Sequence, residues 1–279
     1  MEARAPDPAS KTPGAQARQT LPPSILPGEA SRYAFFLDID GTLIRFAVVP
    51  GRAYVDPWLL EVLRVLEEAA GGAVALVSGR TVESIDRLFS PLRFPAAGQH
   101  GAERRTAAGA VLRRSPGEAQ VEAARRCVKA WAAGVEGVMV EDKGICVAVH
   151  YRQAPHREPE VLGALEQCRA RAGPAFALQW GKMVLELRPA DVDKGTAIRD
   201  FMAEPPFAGR IPLFLGDDAT DEFGFAAVNA MGGLAVKVGE GESVAGCRMP
   251  DVAAVRAWLA SILGRPSPDL GWESGTPQP

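Results

Sequence analysis

Carboxylate side chains follow two apolar segments of the chain at the points where each segment ends. Asp38 and Asp40 come at the end of YAFFLDID, and Asp217 and Asp218 follow IPLFLG. Because side chains of a strand repeat with a period of two, Asp38 and Asp40 can face the same way. Carboxylates held close together repel each other unless a cation lies between them. A set of oxygen ligands alone favours Mg²⁺ as that cation. The pattern therefore predicts a magnesium site that uses Asp38, Asp40, Asp217 and Asp218.

A hydroxyl and an amine occur at two further points of the same kind. Ser78 follows the apolar segment AVALV, and Lys194 begins a predicted helix. The start of a helix is an unfavourable place for a cation, which favours a functional role for Lys194 over a solvated one. Both groups can hold an anion. An anion, a divalent ion and a free carboxylate together are what phosphoryl transfer to an aspartate requires.

The elements around these residues predict a Rossmann-like α/β core with a parallel sheet that is covered on both faces. In such sheets ligands bind beyond the carboxyl ends of the strands, where the candidate residues lie. Strands are predicted over 33–40, 73–77, 94–97, 211–215 and 234–238. Helices are predicted over 57–70, 81–89, 194–202, 219–230 and 252–263.

The middle of the chain has a different order of elements. After a hairpin over 104–114, the pattern helix, strand, strand occurs twice. This order predicts an inserted α+β cap over 105–188 with an antiparallel sheet. The core is then discontinuous, over 32–104 and 189–263. The segments 1–31 and 264–279 lack an apolar period and are predicted to be disordered tails.

Composition narrows the class of protein. The chain has 279 residues, 47% of them hydrophobic, and a formal net charge of −3. Neither nucleic acid nor an anionic membrane is therefore an expected partner, and no apolar stretch reaches the ~18 residues of a membrane span. The four cysteines form no CxxC pair, which predicts a reduced, cytoplasmic protein with structural cysteines. The three histidines have no zinc-site spacing.

Four motifs in order resemble those of haloacid-dehalogenase-type (HAD) phosphatases: DIDGTL from Asp38, SGR from Ser78, Lys194, and GDDATDE from Gly216. The segments between them are similar to trehalose-6-phosphate phosphatases, namely GQHGAE (98–103), VEDKG (140–144), VHYR (149–152) and VLELRP (184–189). The resemblance covers about residues 33–260. One departure is Phe223, where many relatives have an acid after TDE.

The resemblance implies a role for each motif residue. Asp38 is the nucleophile that forms an aspartyl-phosphate, and Asp40 is the general acid, then base, whose backbone carbonyl also binds Mg²⁺. Asp217 anchors the metal and Asp218 binds it directly or through water, while Asp221 either supports the site or only begins a helix. Lys194 neutralises phosphate charge. The implied substrate-binding residues are Gly41, Thr42, Ser78, Arg80 and His100 in the core and Glu141, Lys143, Arg152 and Glu186 in the cap.

The implied activity is magnesium-dependent hydrolysis of trehalose 6-phosphate to trehalose and phosphate, the last step of trehalose biosynthesis. Phosphatase chemistry on another sugar phosphate, such as a sucrose or mannosyl phosphate, remains an alternative, as does a non-catalytic sugar-phosphate sensor. A monomer is expected, with a contact to the synthase that makes the substrate left open. His150 and His156 are expected to be structural or exposed.

Overall fold

A computed structural model describes residues 22–26, 28–46 and 53–265. In chain order its strands are β1 (Tyr33–Leu37), β2 (Val74–Val77), β3 (Ala96–Gly98), β4 (Glu103–Arg105), β5 (Val111–Arg113), β6 (Met139–Asp142), β7 (Val147–His150), β8 (Phe176–Gly181), β9 (Val184–Pro189), β10 (Ile211–Gly216), β11 (Leu234–Val238) and β12 (Cys247–Met249). The α-helices are α1 (Pro57–Ala69), α2 (Val82–Leu88), α3 (Glu118–Ala132), α4 (Glu158–Ala172), α5 (Lys194–Met202), α6 (Glu222–Ala230) and α7 (Val252–Ile262).

The larger sheet has the strand order β12-β11-β10-β1-β2-β3-β4-β5. It is parallel from β12 to β3, and only β4 and β5 pair antiparallel. Side chains of the central strand β1 alternate between two apolar layers. Phe35 and Leu37 pack with α1, α2 and α7, whereas Ala34 and Phe36 pack with α5 and α6. The predicted α/β core with a covered parallel sheet is therefore confirmed.

Three details of this core differ from the sequence prediction. Strand β12 was not predicted, because its three residues form no apolar run. The hairpin β4–β5 continues the larger sheet. The first core segment therefore extends to Arg113, whereas the sequence predicted that it ends at 104. The predicted N-terminal tail also extended too far: Ile25 and Ala30 are buried in the apolar core. The remainder of both predicted tails lies outside the described residues.

The smaller sheet is antiparallel, with the order β6-β7-β9-β8. Helices α3 and α4 pack on one of its faces and form a separate apolar core with residues such as Val128, Leu165 and Leu185. This arrangement confirms the predicted α+β cap with two helix-strand-strand units. The other face of the sheet carries polar side chains, among them Glu141 and Glu186, which are the cap residues that the sequence singled out.

The cysteine prediction was wrong for two of the four residues. Cys127 of α3 and Cys168 of α4 form a disulfide, whereas Cys146 and Cys247 are buried and free. The bonded pair lies 41 residues apart on different helices, so only the packing of α3 against α4 brings the two thiols together. The cytoplasmic location stays a prediction.

Within the part of the chain that the structure describes, none of the helices combines the length and the apolar character needed to cross a bilayer.

Candidate active site

The turn after β1 holds Asp38 at the carboxyl edge of the larger sheet. The Asp38 N–H donates to Leu215 O at 3.0 Å, and the side chain accepts a hydrogen bond from Thr42 Oγ1 at 3.2 Å. Gly41 has a φ of +89°, and a Cβ there would lie 2.3 Å from Asp217 Oδ2. Glycine is thus required for both the turn and the close approach of Asp217.

The predicted phosphate donors of this turn already donate within it. The Gly41 N–H bonds to Ile44 O at 2.7 Å, and the Thr42 N–H bonds to Ile39 O at 3.3 Å. These contacts fix the turn that presents Asp38. The use of either N–H group to bind phosphate stays a prediction.

Lys194 joins two carboxylates below this turn. Its Nζ lies 2.7 Å from Asp38 Oδ1 and 2.6 Å from Asp221 Oδ1, and its side chain is 3% exposed. Helix α5 begins at Lys194 because Asp193 caps it, with Asp193 Oδ1 accepting from the Thr196 N–H. Burial opposes the charge of Lys194, but Asp221 and Asp38 outweigh it and raise the pKa of Lys194. The amine is therefore a buried cation beside Asp38.

Three carboxylates converge at this point. One oxygen each from Asp38, Asp217 and Asp221 lies within 4.8 Å of the other two. Burial raises the pKa of the Asp38 carboxyl well above its usual range, Lys194 opposes this, and Asp221 and Asp217 add to it. Burial likewise raises the pKa of Asp217. Oδ1 of Asp217 is buried without a hydrogen-bond partner among the described residues. An oxygen-only set with this excess of negative charge fits a hard divalent cation.

Asp221 rather than Asp218 completes this cluster. Asp221 is fully buried, and its Oδ2 accepts the N–H groups of Asp217 and Asp218, each at 2.9 Å. The Asp218 side chain instead accepts from the Ala219 N–H at 2.6 Å and caps the 3₁₀ turn Ala219–Asp221. The sequence left Asp221 open because an aspartate in a first helical turn has the same pattern. Metal binding by Asp218 stays a prediction.

Asp40 is held by Arg80 on the other side of the turn. Arg80 Nε and Nη2 donate to the two oxygens of Asp40 at 2.6 and 2.7 Å. Ser78 is buried, and its Oγ accepts from the Arg80 N–H at 3.2 Å. The SGR motif after β2 therefore orients Asp40, a role that sequence reasoning did not assign to Arg80.

Two of the predicted sugar-binding residues, Lys143 and Glu186, meet the predicted substrate-binding residue His100 where the cap touches the core. Lys143 Nζ donates to Gly79 O and to Glu186 Oε2, both at 2.9 Å, and His100 Nε2 lies 3.4 Å from the same Glu186 oxygen. Burial would raise the pKa of Glu186, but Lys143 and His100 hold it well below its usual range. Burial also lowers the pKa of His100. These groups form one buried, charge-balanced cluster.

The other two predicted cap residues lie outside that cluster. Glu141 Oε2 is 2.8 Å from His150 Nε2, and Arg152 is exposed and donates to Lys182 O at 3.3 Å. Lys182, which sequence reasoning missed, lies in the β8–β9 turn, with its Nζ 2.7 Å from Asp217 Oδ2 and 4.2 Å from the Phe46 ring centre. Polar residues are common at hairpin tips, so the sequence gives no indication that this one contacts the core.

A cavity of about 470 Å³ opens beside the carboxylates, lined by Gly41, Phe46, Lys182 and Asp217 among others. The site thus combines a buried carboxylate–lysine pair, a cluster of three carboxylates and an open approach. The structure brings residues of all four sequence motifs together at one edge of the sheet, and their role in phosphoryl transfer stays a prediction.

Comparisons with known proteins identify the family of this chain. The family model described as Trehalose-phosphatase matches residues 36–247. A probable trehalose-phosphate phosphatase of Sinorhizobium fredii is 44% identical over 241 residues, covering 86% of this chain and 91% of the relative. Trehalose-6-phosphate phosphatase of Escherichia coli is 42% identical over 243 residues, covering 87% and 91%.

Solved structures show the same fold. A trehalose-6-phosphate phosphatase related protein has a TM-score of 0.70 at 30% identity, covering 82% of this chain and 96% of that one. The C-terminal domain of trehalose-6-phosphate phosphatase from C. albicans has a TM-score of 0.73 at 22% identity, covering 85% and 93%, and supports the fold alone. The chain belongs to the trehalose-phosphatase family, whose structural neighbours share the HAD-type α/β fold.

Proposed function

We propose that this protein is a magnesium-dependent phosphatase that hydrolyses trehalose 6-phosphate to trehalose and phosphate. The observation that carries the proposal is Asp38, a buried carboxylate that is paired with Lys194 at 2.7 Å and is itself one of the three clustered carboxylates. The names of the relatives from S. fredii and E. coli support the substrate.

Asp38 acts as the nucleophile. One of its oxygens bonds to phosphorus while the bond from phosphorus to the sugar oxygen breaks, which gives an aspartyl-phosphate. Lys194 offsets the repulsion between the carboxylate and the anionic ester, because its buried amine already lies against Asp38. Thr42 donates to the second Asp38 oxygen and fixes the orientation of the carboxylate.

Asp40 moves the protons of both steps. It gives a proton to the departing sugar oxygen, then takes one from the water that attacks the aspartyl-phosphate. Arg80 holds both Asp40 oxygens and sets the direction of the carboxyl group. Free trehalose and phosphate are the products.

Asp38, Asp217 and the Asp40 backbone carbonyl are the proposed ligands of Mg²⁺, with Asp221 close by. Magnesium, when bound, supplies positive charge to the phosphate oxygens and balances the carboxylates. Asp221 has a second task in this proposal, since it accepts from Lys194 and from two N–H groups of the metal-binding loop.

Phosphate release tests the proposal. The full chain is assayed with trehalose 6-phosphate, sucrose 6-phosphate and a mannosyl phosphate, with Mg²⁺ and with EDTA. Release should be fastest from trehalose 6-phosphate, should require the metal, and should fall at least about a thousandfold in Asp38→Asn. The control is Asp56→Asn at the N-cap of α1, where asparagine also caps.

Other outcomes contradict the proposal in distinct ways. If phosphate is released faster from another ester, that sugar phosphate is the substrate instead. Binding of a sugar phosphate without metal-dependent release identifies a sensor instead. If Asp38→Asn is as active as the wild type, Asp38 is not the nucleophile.

A monomer and a cytoplasmic location remain part of the proposal. A bifunctional trehalose-6-phosphate synthase/phosphatase of Thermoproteus tenax is 32% identical, and this chain covers 32% of its length. A contact with a separate synthase is therefore the partnership that we propose to test by co-purification.

A further inference from the structure

His150 and Glu141 are diagonal neighbours on adjacent strands of the cap. In the β6–β7 register, Met139 pairs with His150 and Glu141 pairs with Ala148. Residues in this relation lie on the same face of the sheet and within reach of long side chains. The two side chains meet, with His150 Nε2 2.8 Å from Glu141 Oε2.

This face of the sheet points away from the cap helices. Val147 and Val149, on either side of Ala148, pack into the apolar core under α3 and α4. Because strand side chains alternate, His150 points to the opposite face. Glu186 of β9 pairs with Ala148 and lies on that face too. His150 and Glu141 therefore belong to the polar surface that includes the buried core–cap contact.

Two cations besides His150 interact electrostatically with Glu141, namely Lys143 and Arg80. Its pKa is lowered first by the hydrogen bond with His150, while burial opposes this and Lys143 assists. Glu141 also acts electrostatically on Arg80, whose guanidinium holds Asp40. An ion pair between Glu141 and Arg80 would compete with Asp40 for that guanidinium. The position of Glu141 therefore affects both the cap surface and the Arg80–Asp40 pair of the core.

We infer that His150 is a positioning residue that fixes Glu141 for recognition of the sugar, an inference that rests on the proposed function. An ionised carboxylate only accepts, so His150 donates to Glu141 through its Nε2–H. The Glu141 side chain is 47% exposed, so its second oxygen can accept from a sugar hydroxyl. This role differs from the sequence prediction, which expected His150 to be structural or exposed.

Two substitutions of His150 separate this role from packing. His150→Gln keeps a donor near the position of Nε2, whereas His150→Asn places its amide near Nδ1 and loses the contact. We expect KM for trehalose 6-phosphate to rise about tenfold in His150→Asn, the effect of one ordinary hydrogen bond, with little change in kcat. His150→Gln should stay within about twofold of the wild type. His156→Gln, at an exposed position of the same cap, is the matched control.

A comparison of substrates and a double mutant complete the test. The ratio of kcat/KM for trehalose 6-phosphate to that for p-nitrophenyl phosphate should fall about tenfold in His150→Asn. Adding His150→Asn to Glu141→Gln should cause little further loss, because the two residues act as a unit. Additive losses, equal loss on both substrates, or the same KM rise in the Gln and Asn variants would overturn the inference.

A spectroscopic readout is independent of the substrate. ¹⁵N spectra of the imidazole in the wild-type protein should show the tautomer with the proton on Nε2 of His150. The Nδ1–H tautomer would overturn the inference even if trehalose 6-phosphate is hydrolysed. Failure of the proposed function is distinct, since the wild type would then release no phosphate from trehalose 6-phosphate while the tautomer is as expected.

Discussion

Lys194 supplies the counter-charge for two buried carboxylates, Asp38 and Asp221. Sequence reasoning identified Lys194 from its unfavourable place at a helix start, and Asp38 from its place at a strand end. It left Asp221 undecided, expected His150 to be structural or exposed, and missed Lys182. The first two follow from the motif and the edge of the sheet. The others depend on how a loop folds back or how the cap meets the core, and neither is visible in local periodicity.

Replacing Lys194 tests the charge balance of the site. Lys194→Met leaves Asp38 and Asp221 buried without their cation, so the free energy of unfolding should fall by about 3–5 kcal/mol. Urea unfolding in EDTA measures this, and Lys194→Met/Asp221→Asn should recover part of the loss. Lys129→Met, which breaks an exposed pair with Asp142, should cost about 0–1 kcal/mol. Equal losses in Lys194→Met and Lys129→Met would contradict the buried pair.

At the scale of elements, regular patterns were predicted well and contacts between distant elements were not. Helix α5 begins at its predicted residue because Asp193 and Thr196 form a local capping box. Strand β12 and the place of β5 in the larger sheet were not predicted, because strands of three residues give no apolar period and their sheet is set by pairing with β11 and β4. The disulfide between α3 and α4 is of the same kind, since it needs two helices to pack side by side.

Removing the disulfide should weaken the cap. The bond closes a loop with a sequence separation of 41 residues. A disulfide that closes a loop of this size raises the free energy of unfolding by about 2–4 kcal/mol, because it restricts the unfolded chain. Cys127→Ser/Cys168→Ser should lose that much in urea unfolding, and dithiothreitol should weaken the wild type but leave the double variant unchanged. Thiol counting on the unfolded, non-reduced wild type should find only Cys146 and Cys247. Four free thiols would contradict the bond.

At the scale of the whole molecule, the cap rests on the core through polar contacts beside the cleft. Lys143 donates to Gly79 O, and the Cys146 N–H donates to Gln99 Oε1 at 2.9 Å. A small apolar cluster of Ala102, Ile145, Cys146 and Val192 lies at the same junction. Because the side chains of Lys143 and Glu186 are only 9% and 5% exposed, a disaccharide reaches them only when the cap moves away from the core.

The ionisation of Glu186 should make the stability of this closed arrangement depend on pH. Its pKa is well below the ordinary value of 4.5 because Lys143 and His100 overcome the cost of burial. The stabilisation is therefore complete above pH 4.5 and is lost as the pH falls below it. At neutral pH, Glu186→Gln should lower the free energy of unfolding by about 2 kcal/mol.

Urea unfolding of the two proteins between pH 7 and about pH 3 measures the effect. The difference in free energy of unfolding between wild type and Glu186→Gln should shrink as the pH falls, since protonation removes the charge that the variant lacks. Glu242→Gln, at an exposed loop position, should follow the wild type across the range. A difference for Glu186→Gln that stays constant down to the lowest pH would mean that packing, and not the charge of Glu186, joins the cap to the core.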